Sequence, residues 1–266
     1  MRACKFLLFL LLISCTNSGS NQSEKSQAET KPLLESDSFM GSTTQDQTTY
    51  PSIVSVNVAD TSNLHTTYLQ TRAAITEHRL ALAQKMDSSD SNLQVTGKYL
   101  YTQLLQHIIP PWYGTVWDFN GTSDIPNQGS IACGYFVSTT LKHLGFNLNR
   151  YKLAQQYSLK IIELLCGKEN TKTWSPEQFS KMISYIKNRE EDVYLIGLSC
   201  HVGFLSLEND TVYFIHSSYV DPLCVIKEYA ETSPVLEYSN VFVTGPLFSN
   251  KALVKKWIEQ EAITVQ

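Results

Sequence analysis

Hydrophobic positions recur at helical spacing through the first part of the chain that carries a pattern at all. From Ser62 to Met86, Leu64, Tyr68, Ile75, Leu80 and Leu82 fall without an intervening glycine or proline, and from Leu93 to Ile109 the pattern continues through Leu100, Leu104, Leu105 and Ile108. Pro110-Pro111 stops it, because proline has no N–H to give to a helix and its ring crowds the preceding turn. Between Pro110 and Ser130 no period is visible, and Trp112, Tyr113, Trp117 and Phe119 interleave with Gly114, Asn120 and Gly121 in an aromatic loop. Ile131 to Leu144 predicts a helix with Cys133, Phe136, Val137, Leu141 and Leu144 on one face, Ser130 placed to cap it and Gly145 to end it. Tyr151 to Leu165 predicts another, closed by Cys166-Gly167, and Ser175-Pro176-Glu177 opens a third that runs to Asn188. After Asp192 the period changes to strands over Val193–Leu198, His201–Leu207, Thr211–His216, Leu223–Tyr229 and Val241–Thr244, followed by a helix from Lys251 to Glu261. Helices first and an antiparallel meander afterwards define an α+β class, in which helices precede a small antiparallel sheet.

The first residues follow a different logic. Arg2 and Lys5 precede an unbroken apolar run from Phe6 to Ile13, too short to span a bilayer, which reads as an export signal over residues 1–14. Leu12-Ile13-Ser14-Cys15 resembles a bacterial lipobox, so Cys15 is the expected site of lipidation, and Thr16 after it points to an outer-membrane anchor facing the periplasm. From Thr16 to Tyr50, 19 of 35 residues are Ser, Thr, Asn or Gln, so the segment cannot bury enough apolar area to offset its ordering entropy. The expected organisation is therefore a signal peptide (1–14), a lipidated and disordered tether (15–50), a helical lead-in (51–109) and the main folded domain (110–266).

Composition narrows the function classes. A chain of 266 residues, 42% hydrophobic and 17% charged, is globular rather than disordered, collagen-like or multi-span. Its net charge of −4 becomes −6 once Arg2 and Lys5 are removed, and no basic stripe is visible that would neutralise phosphates, so nucleic acid is excluded as an expected partner. Beyond Cys4 and Cys15, the thiols Cys133, Cys166, Cys200 and Cys224 would lie in an oxidising compartment. None of their spacings is that of a metal site or a CxxC pair; two disulfides and a working thiol are both open.

Candidate chemistry centres on one cysteine and two histidines. Cys133 falls in the first turn of its helix, where free N–H groups and the helix dipole favour a thiolate, and Gly134 leaves the backbone open to close approach. If Asn209-Asp210 forms a two-residue hairpin turn, Glu208 pairs with Thr211. Counting back then puts His216 opposite Gly203 and diagonal to His201, with both imidazoles on one face and within reach of each other. A one-residue slip would send His216 to the other face. A thiol needs a base, and that base needs a polar group to fix its tautomer; Cys133, His201 and His216 fill those roles in order. The alternative for His216 is a structural histidine bonded to the hydroxyls of Ser217 or Ser218. Trp117, Asp118, Trp112 and Asn120 are the expected substrate-binding side chains of the aromatic loop. His65, His78, His107 and His143 are read as surface or packing residues, Asp124 as a second loop carboxylate that either meets a substrate amine or, as loop carboxylates more often are, is merely solvated, and Cys200 as core. No metal or cofactor is called for.

Cys133 at a helix start, His201-Val202-Gly203-Phe204 and Phe214-Ile215-His216-Ser217-Ser218, preceded by Gly114-Thr115-Val116-Trp117-Asp118-Phe119-Asn120-Gly121-Thr122, together resemble the NlpC/P60 cysteine peptidases, a papain-like group that cuts the stem peptides of bacterial cell walls. The resemblance spans Gly114 to Ser218 and is collinear. It implies a papain-like catalytic domain over 110–266, catalytic Cys133, His201 and His216, and an amide-cleaving thiol hydrolase acting on peptidoglycan peptide without a cofactor, held at the membrane by its lipid anchor. An oxyanion hole is expected from the Cys133 N–H and a donor of the Trp112–Asn120 loop. The family's Asp-Cys-Ser-Gly is here Ala132-Cys133-Gly134-Tyr135, Trp117 stands where the family has tyrosine, and 68 positions separate Cys133 from His201. Those departures keep a rival expectation in play, an inactive relative that binds wall peptide or a protein partner through the aromatic loop. Acyl transfer or deamidation would use the same residues as hydrolysis.

Overall fold

The computed structural model describes residues 61–85 and 89–265. The expected signal peptide, the expected lipidation site Cys15 and the expected tether lie outside the described residues. Helix α1 spans Thr61–Lys85 and α2 spans Asp90–Gln103, after which the backbone loosens into a π-helical turn over Leu104–Ile108 and a short 3₁₀ turn over Pro110–Trp112. The helix α3 occupies Cys133–His143, and Gly145, at φ +103°, ends it as expected. Ala132 stands at its N-cap without a side-chain hydrogen bond, so Ser130 does not cap it.

The single helix expected over Tyr151–Leu165 is two helices: α4 over Arg150–Ala154, capped by the Asn149 side chain, and α5 over Ser158–Cys166. Three further helices are α6 (Phe179–Lys187), α7 (Pro234–Glu237) and α8 (Lys251–Glu259). The strands are β1 (Lys172–Trp174), β2 (Val193–Gly197), β3 (Val202–Glu208), β4 (Thr211–Ser217), β5 (Val225–Tyr229) and β6 (Phe242–Pro246), in one antiparallel sheet of order β1-β6-β2-β3-β4-β5. The class is α+β. The five strands foreseen are present, β1 is additional, and β6 returns past the meander to pair with β2.

Both faces of the sheet are covered, and the alternation along each strand assigns them. Val193, Leu195, Val202, Phe204, Ile215 and Val243 face a core that also holds Phe136, Val137 and Leu141 of α3, Ile161 and Ile162 of α5, and Trp257 of α8. Their neighbours Tyr194, Ile196, Leu205, Val212, Phe214 and Phe242 face a second, smaller core closed by Met182, Ile183 and Ile186 of α6 and by Val235 and Leu236 of α7. Tyr68 and Ile75 of α1 and Leu93 and Leu100 of α2 belong to the first core, so the lead-in helices and the residues beyond 110 share one interior.

The hairpin joining β3 and β4 fixes the register at the site. Asn209 and Asp210 both adopt positive φ, +48° and +62°, the requirement of a two-residue type I′ turn, and Glu208 pairs with Thr211 as the turn demands. Gly203 lies against His216: a Cβ there would sit 2.9 Å from the His216 Cβ and 2.7 Å from Phe214 Cε2. Only glycine lets those two rings lie across the neighbouring strand. Among the described residues, no helix is long and apolar enough to cross a membrane.

Candidate active site

His201 and His216 come together as the hairpin register predicts. His201 Nε2 lies 2.9 Å from His216 Nδ1, with the two ring planes nearly perpendicular. His216 stacks on Phe214, two residues earlier on the same face, at 3.9 Å between ring centroids. Its other nitrogen, Nε2, is 3.2 Å from Oε1 of Glu228, which stands opposite Phe214 on β5 and therefore diagonal to His216. Ser233, the N-cap of α7, donates from its hydroxyl to the same Glu228 oxygen at 2.5 Å while accepting from the Leu236 N–H. Ser217 and Ser218 give their hydroxyl protons to the carbonyls of Ile131 and Val220 instead, so the hydroxyl-bonded alternative for His216 does not hold.

Burial sets the charge of this row. His216 is wholly enclosed, and desolvation pushes its imidazole down to about 3; His201 is held well below the ordinary histidine range by desolvation and by the neighbouring His216. Both rings are neutral at pH 7, so the His216–Glu228 contact is a neutral ring against a carboxylate rather than an ion pair. Glu228 is pushed up by its own burial and pulled back by the Ser233 hydroxyl. One ring nitrogen of the row is left over: His201 Nδ1 is buried and has no hydrogen-bond partner.

Cys133 approaches from the helical layer. It opens α3, which packs on the other face of the sheet, and its side chain lies against the main core while keeping some exposure. The Val202 N–H acts on its sulfur, so the thiol rests against the peptide that joins His201 to Val202; the N–H groups of Gly134 and of Cys133 itself act on it as well. Burial nevertheless outweighs these donors and pushes the thiol up. The expected lowering by the helix terminus is therefore the smaller effect, because a charge buried against apolar side chains loses its water before three amide dipoles can replace it. The His201 ring makes no hydrogen bond to the thiol at rest: its Nε2 is taken by His216 and its Nδ1 has no partner.

The loop before Cys133 is stitched down by backbone hydrogen bonds. Gly114 N–H donates to Val225, Trp117 N–H to Leu223, Ile131 N–H to Val116 and Ala132 N–H to Gly121, so the aromatic loop extends the sheet edge next to Cys133. Trp117 is half-buried and reaches Tyr219 at 6.3 Å, and the Tyr219 ring in turn stands 5.1 Å from that of His201. Asp118, Phe119 and Asn120 are exposed, Phe119 at 77%, and the Asp118 carboxylate accepts the Asn120 N–H in a tight turn.

Four expectations need correction. Trp112 is fully buried and donates its indole N–H to Tyr68, so it is core rather than a substrate contact. Gly134 faces the Ala154 carbonyl of α4, 2.6 Å from where a Cβ would stand; its missing side chain serves helix packing, not an incoming substrate. Cys200 is exposed instead of core, since it lies in the turn between β2 and β3 and not within a strand. Asp124 is not open to a substrate amine: it meets Arg150 and lies 3.2 Å from His143, a buried packing residue joined to Tyr68 at 3.0 Å. That places Asp124 in a structural network.

Glu228, Ser233 and Tyr219 were missed by the sequence reading. No sequence signal marks Glu228: only the register Phe214↔Glu228, seen in the fold, puts it on the face shared by Phe214 and His216. Among the described residues no disulfide joins Cys133, Cys166, Cys200 or Cys224, and no group of three or more His, Cys, Asp or Glu side chains is placed to hold a metal ion. No protein-family model matches the chain, and no curated protein or solved structure matches it.

Proposed function

We propose that the protein is a thiol hydrolase that cleaves an amide bond, with Cys133 as nucleophile, His201 as base and then acid, and His216 as the group that orients His201. The observation that carries this reading is the buried, unpartnered His201 Nδ1, in the residue next to Val202, whose N–H meets the sulfur of a thiol at a helix N-terminus. A buried acceptor without a donor costs about 1–3 kcal/mol, and a site retains such a cost where a reacting proton is to arrive. The row works as a general base: the Cys133 proton passes to Nδ1 as sulfur attacks the carbonyl carbon, and the resulting imidazolium returns it to the leaving amine. A neutral resting pair suits this sequence, since contacts of this kind tighten once substrate excludes water. The Cys133 and Gly134 N–H groups, which act on the sulfur at rest, would turn to the oxyanion in this reading.

The resemblance to NlpC/P60 peptidases makes peptidoglycan stem peptide the substrate class, and a lipid on Cys15 would hold the enzyme at the bacterial envelope, on the outer membrane facing the periplasm. Purified stem peptides incubated with the protein and followed by mass spectrometry test it. Cleavage by the native protein, abolished in a folded Cys133→Ala variant, is the expected result; cleavage that survives that substitution sinks the proposal. A second reading, binding of wall peptide or a protein partner without turnover, is favoured by the upward push on the thiol. It predicts peptide retention without cleavage, unchanged by Cys133→Ala.

A further inference from the structure

The site holds a carboxylate that the catalytic assignment does not use. Glu228 is joined to His216 at one end of the row, and Ser233 is joined to Glu228. A carboxylate oxygen has lone pairs and no proton to give, so the hydrogen of the His216–Glu228 contact must sit on His216 Nε2. A neutral imidazole carries one N–H, which leaves His216 Nδ1 bare. The 2.9 Å contact to His201 then requires the hydrogen on His201 Nε2. His201, also neutral, is left with a bare and unpartnered Nδ1, in the residue whose peptide to Val202 supplies the N–H that meets the Cys133 sulfur. Ser233 keeps the direction of the row, because its hydroxyl proton goes to Glu228 while its oxygen accepts from Leu236 N–H.

We infer that Glu228, braced by Ser233, is a positioning residue that dictates the tautomers of His216 and His201 in turn and so presents the lone pair of His201 Nδ1 to Cys133. The inference rests on the proposed thiol chemistry for its purpose, while its geometry stands by itself. Through the reaction the Cys133 proton moves to His201 Nδ1; His201 keeps its Nε2–H, donated to His216, and His216 keeps its own, donated to Glu228. Only one proton crosses, and the negative carboxylate at the far end favours the imidazolium while it lasts. Without an acceptor at position 228, His216 is free to turn its hydrogen to Nδ1. The row then reverses, and His201 meets the thiol with an N–H that takes no proton.

Two measurements on the full folded chain test this: the ring-nitrogen NMR shifts of His201 and His216, and the rate at which iodoacetamide alkylates Cys133 at pH 7.5. In the native protein, Nε2 of both histidines is expected to be protonated and Nδ1 bare. Glu228→Leu is expected to populate the opposite tautomers and slow alkylation by about tenfold or more, close to the effect of His201→Ala. Glu228→Gln, whose amide oxygen can take both donors, is expected to keep the tautomers and lose less of the rate. If His201→Ala slows alkylation while Glu228→Leu does not, and the tautomers stay as they were, Glu228 has no positioning role and the thiol chemistry survives. If neither variant alters the rate, the Cys133–His201 pair itself fails. Should Glu228→Leu not fold, the native shifts decide, because a protonated His201 Nδ1 overturns the inference.

Discussion

Two buried neutral histidines make the stability of this protein steeply dependent on acid. In the unfolded chain each titrates near its ordinary value of about 6.5, whereas in the fold His216 is pushed to about 3 and His201 well below the usual range. Between those values the unfolded state binds a proton that the folded state refuses. Stability is therefore full above pH 6.5 and is lost as pH falls towards the folded values. The slope approaches 1.4 kcal/mol per pH unit for each ring, which integrates to about 2 kcal/mol each, or about 4 for the pair, between pH 7.5 and 5. His143, pushed to about 4 by burial and then by Arg72, acts in the same direction. Glu228 and Asp192, both pushed up by burial, work the other way and return part of the loss at the acid end. Urea unfolding followed by circular dichroism at pH 7.5, 6.5, 5.5 and 5.0 reads the effect directly. With a denaturant slope of about 2 kcal/mol per molar, the midpoint is expected to drop by about 2 M over that range. His216→Gln removes one titrating ring and should flatten the profile by about one proton. A midpoint constant to within about 0.5 M from pH 7.5 to 5 would mean the rings are hydrated or already charged in the fold, and Glu228 would then not dictate their tautomers.

Other substitutions test the packing around the site. Gly134→Ala puts a methyl 2.6 Å from the Ala154 carbonyl oxygen, a backbone atom, and is expected to cost about 1–3 kcal/mol in urea unfolding; an unchanged midpoint would show that α4 yields. Asp210→Gly, at φ +62° in the hairpin turn, is expected to stabilise by about 0.5–1 kcal/mol, and a loss of stability would refute the type I′ assignment. Arg150→Met strips donors from the Thr122 and Ser123 carbonyls and from Thr139 in the segment leading to Cys133. An expected loss of about 2–3 kcal/mol would be read by thermal or urea unfolding, with no change showing that water replaces the guanidinium.

Much of the fold was legible because periodicity reports burial, and it failed where burial was set by partners distant in sequence. The change from helical to alternating pattern at Asp192 marks the real start of the main strands. The break between α4 and α5 has no such mark: Gln155, Gln156 and Tyr157 contain neither glycine nor proline. The chain parts there because Ala154 closes on Gly134 and the Ser158 hydroxyl reaches the Leu198 carbonyl. Strand β1 has three residues, of which only Trp174 is buried, too short a run to carry a period. The position of β6 was readable in retrospect. Phe242 and Val243 are consecutive and both buried, one in each core, which suits an interior strand and not an addition beyond β5.

The same distinction explains the site. His201 and His216 could be paired on paper because a two-residue turn leaves no freedom in the count between them, and Asn209-Asp210 is a pair that tolerates the turn's positive φ. Glu228 could not be, since residues 218–224 connect β4 to β5 by an irregular path in which Leu223 itself takes φ +55°, and such a path does not fix which residue of β5 faces His216. Cys133 shows a further limit. Its place at a helix start is local and was readable, but the state of its thiol is a balance between amide dipoles and lost water. The amides of Cys133 and Gly134 are neighbours in sequence, whereas the side chains that exclude water, and the Val202 N–H, come from elements placed by the tertiary fold. A thiol that is protonated at rest and a base whose free nitrogen is chosen by a carboxylate two rings away are properties of the assembled core, which no spacing of residues expresses.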